Sequence, residues 1–167
     1  MDDPDSVTGY KPTIDFAADE LLPYLRERYD ISRDPERVIA MGTSRRGLVA
    51  TMLAFERPDA IARVISMSGS FYWRQNENEE FEWLAKQIAL NDTKPMNLYL
   101  AAGKLETVVT PNNQGHYLLS TNRHLRNVLW AKNYKMQYHE FMGVHHELCW
   151  QGEIARGLIY HLGRNHH

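Results

Sequence analysis

Arg37-Val38-Ile39-Ala40-Met41-Gly42-Thr43-Ser44-Arg45-Arg46-Gly47 is the stretch on which the reading of the fold turns. Its apolar half predicts a short buried strand, and the residues from Ser44 to about Arg57 predict a helix. Between them, Gly42-Thr43-Ser44 has the composition of a nucleophile elbow. That strand-to-helix turn is so tight that small residues must flank the serine, whose hydroxyl is pushed out over the carboxyl edge of the sheet. The first amides of the following helix point at the same place, where they would stabilise a developing oxyanion. A Gly-x-Ser tripeptide is common by itself; the strand–turn–helix context carries the reading. The full Gly-x-Ser-x-Gly pattern is not met, because Arg46 stands at the second glycine position and Gly47 follows it.

Outward from the elbow, helical and strand patterns alternate. Leu48, Met52, Leu53 and Phe55 form the expected buried face of the elbow helix, and Pro58 disfavours helical geometry in Arg57 before it. Upstream, an amphipathic helix is expected from Thr13, with Phe16, Leu21, Leu22, Leu25 and Tyr29 inward and a kink or break at Pro23. Residues 1–12 read as a surface arm. Downstream, 61–67 and 96–102 read as buried strands, and 135–141 as a strand nearer the edge. Helices are expected around Phe81, Leu84 and Ile88, then over 117–132 with Asn133 as a left-handed stop. A closing helix over 148–162 turns Trp150, Ile154, Leu158 and Ile159 inward, and the span 107–115 is a loop. Strands alternating with helices at this spacing predict an α/β fold with a mostly parallel sheet, in one domain spanning 1–167.

Composition narrows the function classes. The chain has 167 residues, a net charge of −2 and 43% hydrophobic residues, which fits an ordinary globular protein. That charge offers no electrostatic case for nucleic acid or an anionic membrane, and no apolar run is long enough to span a bilayer. The acidic start Met1-Asp2-Asp3-Pro4-Asp5 is opposite to a signal peptide, and Cys149 is a single cysteine. A cytoplasmic location is the expectation.

In a parallel α/β sheet, chemistry gathers beyond the carboxyl ends of the strands. Ser44, Glu106 and His145 each follow an expected strand, in the order serine, acid, histidine found in hydrolases of this class. A serine hydroxyl needs a base to take its proton, and the base needs a carboxylate to fix its tautomer. His146 rivals His145 on spacing. The serines 66, 68 and 70 surround Gly69, but no helix pattern begins directly after them, so no second elbow is expected. Phe71, Tyr72 and Trp73 could line a pocket near Ser44 or belong to the core. The histidines lack zinc-site spacing with any cysteine pair, and no His-Glu-x-x-His occurs.

Several blocks together carry a resemblance. Met41-Gly42-Thr43-Ser44-Arg45-Arg46-Gly47-Leu48, Ile65-Ser66-Met67-Ser68-Gly69-Ser70-Phe71-Tyr72-Trp73 and Thr121-Asn122-Arg123-His124-Leu125-Arg126 are similar to segments of the enterochelin esterase and esterase D family. Gly143-Val144-His145-His146-Glu147-Leu148-Cys149-Trp150 resembles that family's Gly-Gly-His-Asp-x-x-x-Trp segment. The resemblance implies an α/β-hydrolase fold and serine esterase chemistry without a cofactor. It places the nucleophile at Ser44, the base at His145 rather than His146, and the acid at Glu106. Three departures stand out. Arg46 replaces a glycine, so the elbow could be distorted or Arg46 could project into the site mouth. Val144 and His146 replace the residues flanking the histidine. A block of strands that the family carries ahead of the first helix has no counterpart here. In that fold one oxyanion donor is the amide of Arg45, and the second comes from the block without a counterpart. The truncated sheet leaves an open, apolar strand edge, and a homo-oligomer is expected on that ground.

The leading reading is therefore hydrolysis of small or short-acyl carboxylic esters through an acyl-enzyme, with Ser44, His145 and Glu106 as the triad and Arg46, Phe71, Tyr72 and Trp73 toward the substrate. One alternative is hydrolysis of catechol siderophore trilactones, whose negative charge Arg45, Arg46 or Arg74 could meet. Another is a non-catalytic binding or assembly protein derived from an esterase.

Overall fold

Four parallel strands in the spatial order β1-β2-β3-β4 make the sheet, so each strand lies beside the next one in the chain. They are β1 (Ile39–Thr43), β2 (Arg63–Met67), β3 (Asn97–Gly103) and β4 (Lys135–Phe141). Parallel neighbours need a crossover. Here the crossovers are helices α3 (Ser44–Glu56), α4 (Trp83–Leu90) and α5 (Leu118–Ala131). Among the described residues, α1 (Tyr10–Asp15), a π-helical segment Phe16–Leu21 and α2 (Leu22–Arg28) precede the sheet, and α6 (Glu147–Leu162) follows it. The computed structural model describes residues 10–76, 78–107 and 118–163. Most of the expected surface arm and of the expected 107–115 loop lies outside them.

Alternation along β2 and β3 feeds two cores, one on each face of the sheet. Val64, Leu98 and Leu100 join Leu48, Met52, Leu84, Ile88, Leu125 and Leu129 from α3, α4 and α5. Ile65, Met67, Tyr99 and Ala101 face the other way and meet Trp150 of α6. Both faces of the central strands are covered, which is why they read as continuous apolar runs rather than alternating ones. The bidentate pair of Arg123 with Glu140, at 2.7 and 2.8 Å, ties α5 to β4 at the exposed surface.

Several expectations change. The first helix starts at Tyr10, so Tyr10-Lys11-Pro12 are helix rather than arm, and the Tyr10 ring packs against Trp73 and Trp83. The break expected at Pro23 becomes the widened π segment before it, in which the Leu22 amide reaches back to the Ala17 carbonyl. A proline lacks the amide that a regular helix would use there. The inward stripe is accordingly Ile14, Ala18 and Leu22, while Phe16, Leu21 and Tyr29 are exposed.

Strand β1 is only partly buried. It pairs with β2 on one side only among the described residues, and Met41 is 49% exposed. On α6, Leu158 and Ile159 face solvent, and Glu153, Gly157 and His161 are buried in their place. Gly157 lets the helix approach β2, since a Cβ there would lie 2.8 Å from Ile65 Cγ2. The two polar residues are tolerated because each finds partners. Glu153 accepts from Tyr99 Oη at 2.7 Å, and His161 Nε2 lies 2.9 Å from the Val64 carbonyl.

Candidate active site

Ser44 directly follows β1 and begins α3 with φ 53°, a left-handed conformation that side chains rarely adopt. This strained turn exposes the hydroxyl beyond the sheet, as an elbow requires. Its glycines show how tight it is. A Cβ on Gly42 would lie 2.4 Å from the Arg46 backbone, and one on Gly47 would lie 2.6 Å from Ser66 Oγ. Gly47 thus supplies the close helix-to-sheet approach that the shifted pattern left in doubt, and Arg46 is exposed.

Three strand ends converge on that serine. His145 Nε2 lies 3.0 Å from Ser44 Oγ, and His145 Nδ1 lies 3.2 Å from Glu106 Oε2. The loops after β3 and β4 are stitched together by the Lys104 amide to the Phe141 carbonyl at 2.9 Å and the Leu105 amide to the Gly143 carbonyl at 3.1 Å. Those bonds bring Glu106 and His145 side by side although 39 residues separate them. The Glu106 carboxyl is fully buried, and its Oε1 accepts from Ser68 Oγ at 2.6 Å and the Gly103 amide at 3.1 Å. His146 is elsewhere. It caps α6, its Nδ1 accepting from the Leu148 amide at 3.2 Å.

A groove of about 980 Å³ runs from Ser44 along the open edge of β1, between α1, α2 and α3. Thr43, Arg45, Arg46, Trp73, Glu147 and Trp150 are among the residues that line it with Ser44. Arg45 is the second residue of α3, so its amide belongs to the first helical turn, whose amides point out of the helix N-terminus. Of the three aromatics after β2, Trp73 borders the groove and also packs on the core. Tyr72 is half-buried beside it. Phe71 is fully buried in the core and does not reach the groove, because the chain folds back through the Phe71 amide to Gly69 carbonyl bond at 2.8 Å.

The arrangement can move a proton from Ser44 Oγ to His145 Nε2 while Nδ1–H donates to Glu106. Sequence reasoning missed three contributors: Ser68, Ser70 and Trp150. Ser70 is buried, its Oγ 3.3 Å from Ser44 Oγ and its amide donating to the Ser44 carbonyl at 3.1 Å. Trp150 meets the His145 ring edge to face and donates Nε1–H to Ser68 Oγ at 2.9 Å. The Ser-Gly-Ser turn at a strand end was the available signal, set aside because no helix follows it.

A family model described as putative esterase matches residues 4–161. The iron(III) enterobactin esterase of Dickeya dadantii is 25% identical over 151 residues, covering 84% of this chain and 33% of that protein. The ferri-bacillibactin esterase BesA of Bacillus subtilis is 27% identical over 157 residues, covering 88% of this chain and 50% of its own length. The crystal structure of the enterobactin esterase from Shigella flexneri superposes with a TM-score of 0.72 at 24% identity, over 85% of this chain and 36% of that one. The fold is that of the α/β-hydrolase esterases, of which this chain spans a part.

Proposed function

The chain belongs to the putative esterase family, and from that premise we propose that it hydrolyses carboxylic esters through an acyl-enzyme at Ser44. The observation that carries the reading is the continuous relay Ser44 Oγ, His145 Nε2, His145 Nδ1, Glu106 Oε2, with contacts of 3.0 and 3.2 Å. Ser44 Oγ attacks the ester carbonyl carbon as its proton passes to His145 Nε2. The carbonyl oxygen becomes an oxyanion facing the first turn of α3, where the Arg45 amide is the donor. The C–O bond to the alcohol then breaks, and His145 returns its proton to the departing oxygen. Water, deprotonated by the same imidazole, attacks the acyl-enzyme and releases the acid and Ser44. Glu106 keeps Nδ1 protonated throughout, so that Nε2 is the basic nitrogen.

Small or short-acyl esters fit a groove that is open along β1. The test is hydrolysis of p-nitrophenyl acetate and butyrate by the purified protein, alongside Ser44→Ala and His145→Ala. A rate abolished in both variants supports the reading. Equal rates in all three proteins remove Ser44 as nucleophile and favour a non-catalytic binding role.

A second reading, hydrolysis of catechol siderophore trilactones, is favoured by relatives named as enterobactin and bacillibactin esterases and by Arg45 and Arg46 at the groove. Turnover of aryl esters without release of dihydroxybenzoyl-serine from enterobactin would sink it. The same proposal includes a cytoplasmic enzyme that self-associates through the open edge of β1. A monomer by light scattering at micromolar concentration counts against that association.

A further inference from the structure

Ser68 adopts φ 50°, a left-handed conformation that favours glycine, yet it carries a side chain and is fully buried. The strain is held from three sides. The Ser68 amide donates to the Ala101 carbonyl at 2.7 Å, anchoring the turn to β3. Asn122 of α5 donates Nδ2–H to the Gly69 carbonyl at 2.8 Å. The Ser70 amide donates to the Ser44 carbonyl at 3.1 Å, joining this turn to the elbow. What the strained position delivers is a hydroxyl aimed at Glu106.

The direction of the bonds at that hydroxyl follows from chemistry. An indole nitrogen can only donate, so Trp150 Nε1–H donates to Ser68 Oγ and the single hydroxyl proton goes to Glu106 Oε1. With the Gly103 amide, two donors then fill Oε1, and Oε2 is left for His145 Nδ1–H. The same Trp150 ring packs on His145, so one side chain touches both the base and the group that orients the acid.

We propose that Ser68, held by Trp150, is a positioning residue that fixes the Glu106 carboxylate so that only its Oε2 faces His145. This rests on the esterase reading for its kinetic consequence. It accounts for a serine where the backbone prefers glycine.

Ser68→Gly is the discriminating variant, because glycine accepts this backbone without strain and takes away the hydroxyl together with its Cβ. The expected result is a folded variant by circular dichroism, with kcat for p-nitrophenyl acetate down about tenfold, the scale of one charge-assisted hydrogen bond, and KM unchanged. Trp150→Phe keeps an aromatic ring beside His145 and loses the Nε1–H, so kcat falls less. In the double variant the two losses do not add, because Trp150 acts through Ser68. A parental kcat in Ser68→Gly, or fully additive losses, overturns the proposal. The downfield proton resonance of His145 Nδ1–H, identified by its disappearance in His145→Ala, gives a readout independent of turnover. It shifts in Ser68→Gly if the relay exists, and an unmoved resonance overturns the proposal. Absence of Ser44-dependent turnover in the parent would fail the esterase reading instead, leaving the resonance to decide the relay.

Discussion

His145 and Trp150 meet edge to face, with ring centroids 4.9 Å apart and planes at 84°. In that contact His145 is the histidine that faces Ser44, its Nε2 lying 3.0 Å from the serine Oγ. With His145 held against the indole, the next residue, His146, is directed into the N-cap of α6. His145→Ala is therefore expected to abolish esterase turnover. His146→Ala is expected to keep turnover and lower stability by about 1 kcal/mol, the usual worth of a cap. Steady-state rates and denaturant unfolding of the two variants check this; a comparable loss of rate in both would refute it.

Glu106→Gln replaces the buried acceptor of His145 Nδ1–H with an amide of the same shape. The amide can present its NH₂ to the imidazole and favour the wrong tautomer. A loss of about 10³- to 10⁴-fold in kcat is expected, on the scale of comparable triad substitutions. A loss below tenfold in the purified, folded variant would remove Glu106 from the proposed triad.

Two helical glycines make opposite predictions. A Cβ at Gly47 would lie 2.6 Å from Ser66 Oγ and 3.1 Å from the Gly42 carbonyl, so Gly47→Ala is expected to cost about 1–3 kcal/mol by overpacking and to displace the elbow. At Gly152, inside α6, nothing lies within 4 Å. Gly152→Ala is expected to stabilise by about 0.5–1 kcal/mol through helix propensity alone. Urea denaturation with both variants tests the contrast, and destabilisation by Gly152→Ala would contradict it.

His161 gives a pH dependence with a definite sign. Burial, reinforced by the nearby charges of Arg63 and Lys135, holds its folded-state pKa below the ordinary value of 6.5, while its bond to the Val64 carbonyl opposes the shift. Between the lowered folded value and the unfolded one, the unfolded chain binds a proton that the folded chain refuses. Its contribution is thus fully present above pH 6.5 and is lost as pH falls through the folded value, at up to about 1.4 kcal/mol per pH unit. His161→Gln keeps a donor for the carbonyl and removes the titration. The stability difference between parent and variant should narrow or reverse below pH 6.5, and a difference constant from pH 5 to 7.5 would rule the effect out.

The sequence by itself determined what depends on near neighbours in the chain. Periodicity marked the strands and helices, Gly42-Thr43-Ser44 marked the turn, and the position of Ser44, Glu106 and His145 just after three of the strands marked where side chains could meet. Local composition suffices there because a strand, a helix and a tight turn are each selected by residues within a few positions. Tertiary structure decided the rest. The inward face of α6 carries Glu153 and His161 rather than Leu158 and Ile159, since burial of those polar groups depends on partners in β2, β3 and β4 that no helical period reveals. Phe71 went to the core and Trp73 to the groove by the fold-back of one turn. The distance from Ser44 to His145 spans 101 residues and was closed by the parallel register that stacks β1 to β4 with their carboxyl ends together. Ser68 was legible as a turn serine. Only the tertiary structure brings Trp150 of α6 and Glu106 of the loop after β3 to its hydroxyl.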